Sequence, residues 1–389
     1  MNRQEQILIQ SVLATVSGRD VPKCDNTEGL VNLAKYHMVQ NIIAGVLEKM
    51  PDVPQNLMNS VNEEQTLLLI KDANQEADTT ALMKLFEENE IPVVFLKGWY
   101  LKQFYPRTDL RAMADTDIFI RLSDEKKINE LMKSHGYSVV TYGGKKDNVY
   151  KKEPFIILEL HKNLFMFEDD WNDYFNRKDS DMYIWNRVHN VNNHKYIYRM
   201  DDELFFTYMI AHIAKHLIDD GGIGMKSILD VWLFLRKKND LNFEIINRDL
   251  ESLGLKKFSD SVISLTKYWF DEKDDVDSKT KLLGDHILSC GVYGNDAVMV
   301  ATKDGILSDS SSRFKYLFRR AFPAVKAMEV RYPQLKRKKW LLPFLYIKRL
   351  WFSLVHRSGE VKGEIRSAKN LNYERAKKIQ TLYKDIGLR

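Results

Sequence analysis

Apolar positions recur at three- and four-residue intervals through the first ninety residues, the period of helices that bury one face. "MNRQEQILIQSVLATVSGRD" follows that period. So does "TEGLVNLAKYHMVQNIIAGVLEKM", for which the pattern predicts a helix with Thr27 as N-cap ahead of Glu28. "NEEQTLLLIKDANQEADTTALMKLFEENE" continues it and stops before Pro92, because the residue before a proline is biased away from helix.

The pattern then changes. "IPVVFLKG" is a short β-branched and aromatic run closed by glycine, which predicts a buried strand, and "WYLKQFYP" predicts a short helix ended by Pro106. "DTDIFIRL" reads as the next strand. "SDEKKINELMKSHGY" reads as an amphipathic helix with Ser123 as N-cap and Gly136 past its end. "YSVVTY" and "FIILELHKNL" supply further strands, separated by the hairpin-like "GGKKDN". Helical spacing resumes with "DDELFFTYMIAHIAKHLIDD" and "KSILDVWLFLRKKND", a pair around the joint "GGIGM".

The expected fold class is therefore α+β, a small mixed sheet flanked by N-terminal and C-terminal helical regions. The expected divisions are an N-terminal helical region over 1–90 and an α/β core over 91–165. A second helical region over 166–312, which would shape the acceptor pocket, and a basic helical region over 313–389 follow.

Two carboxylates interrupt the apolar logic. Asp115 and Asp117 open a strand that otherwise buries Ile and Phe, and residues two apart on a strand share a face. Unpaired buried carboxylates are costly, so two together call for a cation or an edge open to water. Glu159 interrupts the equally apolar "FIILELHK". Three acids on neighbouring strands can hold hard divalent cations such as Mg²⁺ or Mn²⁺ for phosphoryl transfer. Against this stands the commoner DxD pair that merely caps a solvated turn.

"FLKGWYLKQFYPRTDLRAMADTDIFI" followed by "ILELHKNL" resembles the uncharacterised bacterial nucleotidyltransferase family of the DNA polymerase β-type nucleotidyltransferase superfamily. The likeness extends to "HIAKHLIDDGGIGMKSILDVWLFL" and spans most of residues 28 to 300. It implies that Asp115, Asp117 and Glu159 are catalytic and metal-binding, and that Gly98 stands at the nucleotide-binding turn. The implied substrate is an NTP, whose nucleoside monophosphate passes to an acceptor hydroxyl on a protein, RNA, sugar or small metabolite. Two features depart from the pattern. Gly98-Trp99 replaces the usual Gly-Ser or Gly-Gly, and the third acid is Glu where Asp is commoner.

Several neighbours carry two readings. Lys97 and Arg111 could hold triphosphate oxygens, Arg111 by its bidentate fork, or simply balance the acids. His161 could touch phosphate or orient a metal-bound water, or sit at the core edge. His212 and His216 have metal-ligand spacing, but the glutamate of HExxH is missing. Lys226 could meet an anion at a helix start, or pair with Asp230 one turn later. Two other functions fit the acids less closely: a non-catalytic binding module on the same fold, and a DxD glycosyltransferase.

Composition adds three points. The two cysteines, Cys24 and Cys290, lie far apart without metal spacing, which fits a reducing compartment. The N-terminal pattern is interrupted by Gln and Ser with no cleavage site, and no apolar stretch reaches the ~18 residues of a membrane span. The expectation is a cytoplasmic protein. The net charge is only +5, yet residues 313–389 hold 21 Lys or Arg against 5 Asp or Glu, so the rest is acidic. Within this tail, "KRKKWLLPFLYIKRLWFSLVHR" mixes basic and bulky apolar residues. It is read as a packed helix with a basic flank, with a polyanion or an anionic membrane as the partner it would otherwise meet, and Pro343 is expected to interrupt its period.

Overall fold

The computed structural model describes residues 1–165, 170–273, 275–291, 332–356 and 373–388, with positions 318, 321–323, 325 and 328–329. The chain divides into two compact units, Met1–Ala214 with Gly224–Leu288, and Lys215–Ile223 with Ser289–Arg389. Much of the expected basic region lies outside the described residues.

The first unit begins with four helices, α1 (Arg3–Ser17), α2 (Thr27–Tyr36), α3 (Gln40–Leu47) and α4 (Gln55–Glu88). Asn26, not Thr27, caps α2: its side chain accepts from the Gly29 amide, which frees Thr27 to bury inside the first turn. The single helix expected from Thr27 onward is two, because Met38 takes a left-handed φ of 53° that no helix can contain.

Seven strands then form one mixed sheet: β1 (Val93–Phe95), β2 (Thr116–Ile120), β3 (Ser138–Thr141), β4 (Asp147–Lys152), β5 (Ile156–His161), β6 (Val188–Asn190) and β7 (Ile197–Met200). Their order is β3-β4-β5-β2-β1-β7-β6. Three short helices, α5 (Lys97–Lys102), α6 (Glu125–Ser134) and α7 (Asp170–Asn176), are interleaved with them. The "GGKKDN" turn joins β3 to β4 rather than to β5; the polar run "DNVYKK" pairs along all of β5 and alternates buried and half-buried residues. β6 and β7 add to the sheet from beyond residue 165. A 3-10 turn over Leu122–Asp124 displaces Ser123 from the cap position of α6, and Gly136 follows that helix at a φ of 83°.

The period-two alternation settles which face each strand residue takes. Ile118 and Ile120 of β2, with Leu158 and Leu160 of β5, bury against Leu82, Leu85 and Phe86 of α4 and Ile128 and Met132 of α6. The residues between them therefore point to the opposite face. Beyond the sheet, α8 (Asp202–Asp219) and α9 (Met225–Lys237) form the expected pair around the glycine joint, followed by α10 (Phe243–Ser252), α11 (Lys256–Phe270) and α12 (Ser278–Cys290).

In the second unit, α13 (Leu342–His356) buries Leu345 in a small core with Met328 and Leu335. The Tyr383 hydroxyl of α14 (Tyr373–Asp385) donates to the Leu217 carbonyl at 3.0 Å. Among the described residues no helix is long and apolar enough to cross a membrane.

Candidate metal centre

β2 and β5 run parallel, in a register that sets Asp117 beside Glu159 and Phe119 beside His161. These four residues occupy the face that α4 leaves uncovered. Two acids and an imidazole thus meet on adjacent strands because the apolar partners in the same alternation claim the other face.

His161 joins the acids directly. Its Nε2 lies 2.8 Å from Asp117 Oδ1 and 3.5 Å from Glu159 Oε2. One ligand atom from each of Asp117, Glu159 and His161 falls within 4.8 Å of the others, so the three form a candidate metal group. Two carboxylate oxygens suit a hard divalent cation, and the imidazole adds a donor that Mn²⁺ tolerates better than Mg²⁺. The buried Nδ1 of His161 has no hydrogen-bond partner, so the ring's protein hydrogen bonding is confined to its Nε2 side, toward the acids. The residues fit a cation.

Asp115 stands one residue ahead of β2, outside that compact group but in the same charge cluster. The two aspartates differ in their electrostatics. Burial, then the like charge of Asp117, raises Asp115 above the usual carboxylate range, and Lys97 only partly offsets them. Burial also pushes Asp117 upward, but the hydrogen bond and charge of His161, with Lys97, outweigh it and hold Asp117 well below that range. The like charges are therefore neutralised at one carboxylate and not at the other. Burial, then Asp117 and Asp115, raises Glu159.

Cations line the site. Lys97 Nζ lies 2.5 Å from His212 Nε2; burial lowers its pKa, while Asp117 and Asp115 pull it back up. Lys226 donates to the Ala112 carbonyl at 3.2 Å, and burial with the nearby Arg111 charge brings it down to about 8. It does not pair with Asp230. That carboxylate is taken by Arg111, whose Nε and Nη2 donate to its two oxygens at 2.8 and 2.9 Å, while the Tyr105 hydroxyl adds a bond at 2.8 Å. The fork expected on a triphosphate is closed on Asp230 instead. Gly98 is the second residue of α5; its carbonyl accepts from Arg111 Nη1 at 3.3 Å, and a Cβ there would meet Met113 Sδ at 3.2 Å.

Residues 23–271 match the model of a family described as an uncharacterised nucleotidyltransferase. The chain belongs to that family. An antigenic nucleotidyltransferase-like protein from Paracoccidioides brasiliensis is a more distant likeness, 17% identical over 47% of this chain and 88% of its own, with a TM-score of 0.30. No curated protein sequence matches.

Two further groups of this family member lie within electrostatic reach of the acids. Tyr208 of α8 is buried, and its hydroxyl is raised well above its usual pKa by burial and by Asp117, Asp115 and Glu159 in turn. Its ring packs edge-on against His212 one helical turn later, 5.8 Å between centroids. The four-residue spacing of His212 and His216 fits histidines lining a cleft better than a zinc site, and it carries no signal for Tyr208. His212 meets Lys97, and His216 meets Asp220. Lys71 on α4 is the second. Burial lowers its ammonium and Asp115 opposes that shift, so it lies within electrostatic reach of the acids.

Proposed function

We propose that the protein transfers a nucleoside monophosphate from an NTP to an acceptor hydroxyl, in the manner of the DNA polymerase β-type superfamily, using two Mg²⁺ or Mn²⁺ ions. The observation that carries this reading is the registered pair Asp117–Glu159 on parallel strands, in a chain of a nucleotidyltransferase family. Asp115, Asp117 and Glu159 would hold the ions. Bound there, divalent ions supply Lewis acidity that eases deprotonation of the attacking hydroxyl and offsets charge on the leaving pyrophosphate.

The chain's own residues do the rest. Without the ion, His161 Nε2 holds the Asp117 carboxylate at 2.8 Å; to ligate the ion through Nε2 it would give up that hydrogen bond. Lys97 and Lys226, whose ammonium charges burial disfavours, gain from an incoming triphosphate. Lys97 and Gly98 open α5, along whose start the phosphates would lie. Glu159 would take the acceptor's proton. Arg111 acts at one remove, by holding the loop before β2 to α9 through Asp230.

The test is to incubate the protein with each α-labelled NTP, Mn²⁺ or Mg²⁺, and extract of its own cells. Label is expected in one acceptor fraction with the wild type and in none with Asp117→Asn. Metal-dependent NTP binding without label transfer would favour the non-catalytic module. Neither binding nor transfer would end the nucleotidyl-transfer reading.

A further inference from the structure

The segment from Tyr332 to His356 contains six Lys or Arg and no Asp or Glu. Pro343, expected to interrupt the period, is the second residue of α13, where its missing N–H costs no helical bond. The helix is therefore continuous and amphipathic in an unusual way. One side, with Leu341, Leu342, Leu345 and Tyr346, packs on Met328 and Leu335. The Tyr346 hydroxyl anchors that side on the Pro323 carbonyl at 2.5 Å.

The other side is also apolar, and it is open. Trp340, Phe344, Ile347 and Trp351 are 68, 62, 66 and 65% exposed. Their spacing of four, three and four residues aligns them in one stripe. Arg337, Lys338, Lys339 and Lys348 beside it are exposed as well. A soluble surface seldom leaves two tryptophans, a phenylalanine and an isoleucine contiguous in water without a partner.

We propose that α13 and the turn before it lie flat on an anionic phospholipid membrane, the stripe entering the headgroup boundary and the cations meeting lipid phosphates. Charge selects this occupant. A second copy of the chain docked by the same stripe would bring like cations together, with no acid in residues 332–356 to answer them. A nucleic acid would satisfy the cations and could stack on the rings, but Ile347 at the centre of the stripe offers a base no stacking surface. Bilayer interfaces take tryptophan, aliphatic residues and adjacent lysines together. The helix lies on such a surface and does not span it.

The experiment is co-sedimentation of the full chain with phosphatidylcholine vesicles, with or without a third of phosphatidylserine. Binding is expected only to the anionic vesicles, and it should weaken at high salt. Phe344→Ser with Ile347→Ser, both on the open side, should lower partitioning at least tenfold without changing the melting temperature. In the wild type, lipids brominated in the acyl chain should quench tryptophan emission, and Trp340→Phe with Trp351→Phe should remove that quenching. Three results would each overturn the proposal: no binding to anionic vesicles, binding that the serine variants leave intact, or a stripe whose mutation alters only dimerisation or RNA binding.

Discussion

Asp115 and Asp117 are two residues apart, yet their surroundings assign them opposite energetic signs. Burial and the neighbouring Asp117 disfavour the charge on Asp115, whereas His161 and Lys97 stabilise that on Asp117. In metal-free buffer, Asp115→Asn should therefore raise the melting temperature by a few degrees, since Asn mimics the neutral carboxyl that burial favours. Asp117→Asn should lower it, since the charge that His161 and Lys97 answer is gone. Both should lose the added stabilisation from Mn²⁺ plus NTP. Equal apo melting temperatures would contradict the asymmetry. The sequence disclosed the acids and His161 because two-residue alternation is local. It could not disclose that Arg111 is spoken for, because Asp230 lies 119 residues away. Tyr208 was hidden for a different reason: in an apolar helix an aromatic residue reads as core, and only the packed structure turns its hydroxyl toward charge.

Among elements, the Arg111–Asp230 pair ties the loop that delivers the acids to α9. Both side chains are nearly excluded from solvent, 5 and 7% exposed. Removing one partner of such a pair strands the other, so Arg111→Ala should cost about 3–5 kcal/mol in urea unfolding. Arg111→Met with Asp230→Leu should recover much of that loss, because no unpaired charge remains. A single variant that kept its stability but lost NTP affinity would return Arg111 to the nucleotide. The elements themselves were mostly legible where a period was long or strongly alternating, as in α4, β2 and β5. The misses follow from local chemistry that overrides period. Met38 breaks a helix by one backbone angle, Asn26 outcompetes Thr27 as a cap, and β4 is too polar to read as a strand until β5 pairs with it.

At the scale of the first unit, one buried histidine links distant parts of the chain. His37 follows α2, is fully buried, and accepts from the Met225 amide at the start of α9 at 3.3 Å, 188 residues away. Burial drives its pKa from 6.5 down to about 4, against a weaker upward pull from the Leu288 carbonyl. Between those two values the unfolded chain binds a proton that the folded chain refuses, so stability rises with pH across that window and is lost as pH falls through it. At 1.36 kcal/mol per pKa unit the full effect is about 3 kcal/mol, a large share of a typical domain's stability. Asp115 and Glu159, whose pKa values are raised, act in the opposite direction: the folded state holds their protons longer and gains as pH falls. The net acid profile alone is therefore ambiguous, and the informative quantity is the difference between wild type and His37→Gln. Glutamine keeps an acceptor for the Met225 amide but cannot be charged. Urea unfolding at pH 7 should show a modest loss in the variant, and the wild type should lose its advantage as the pH approaches 4. Parallel curves for the two proteins would show that His37 does not set the acid limit of this fold.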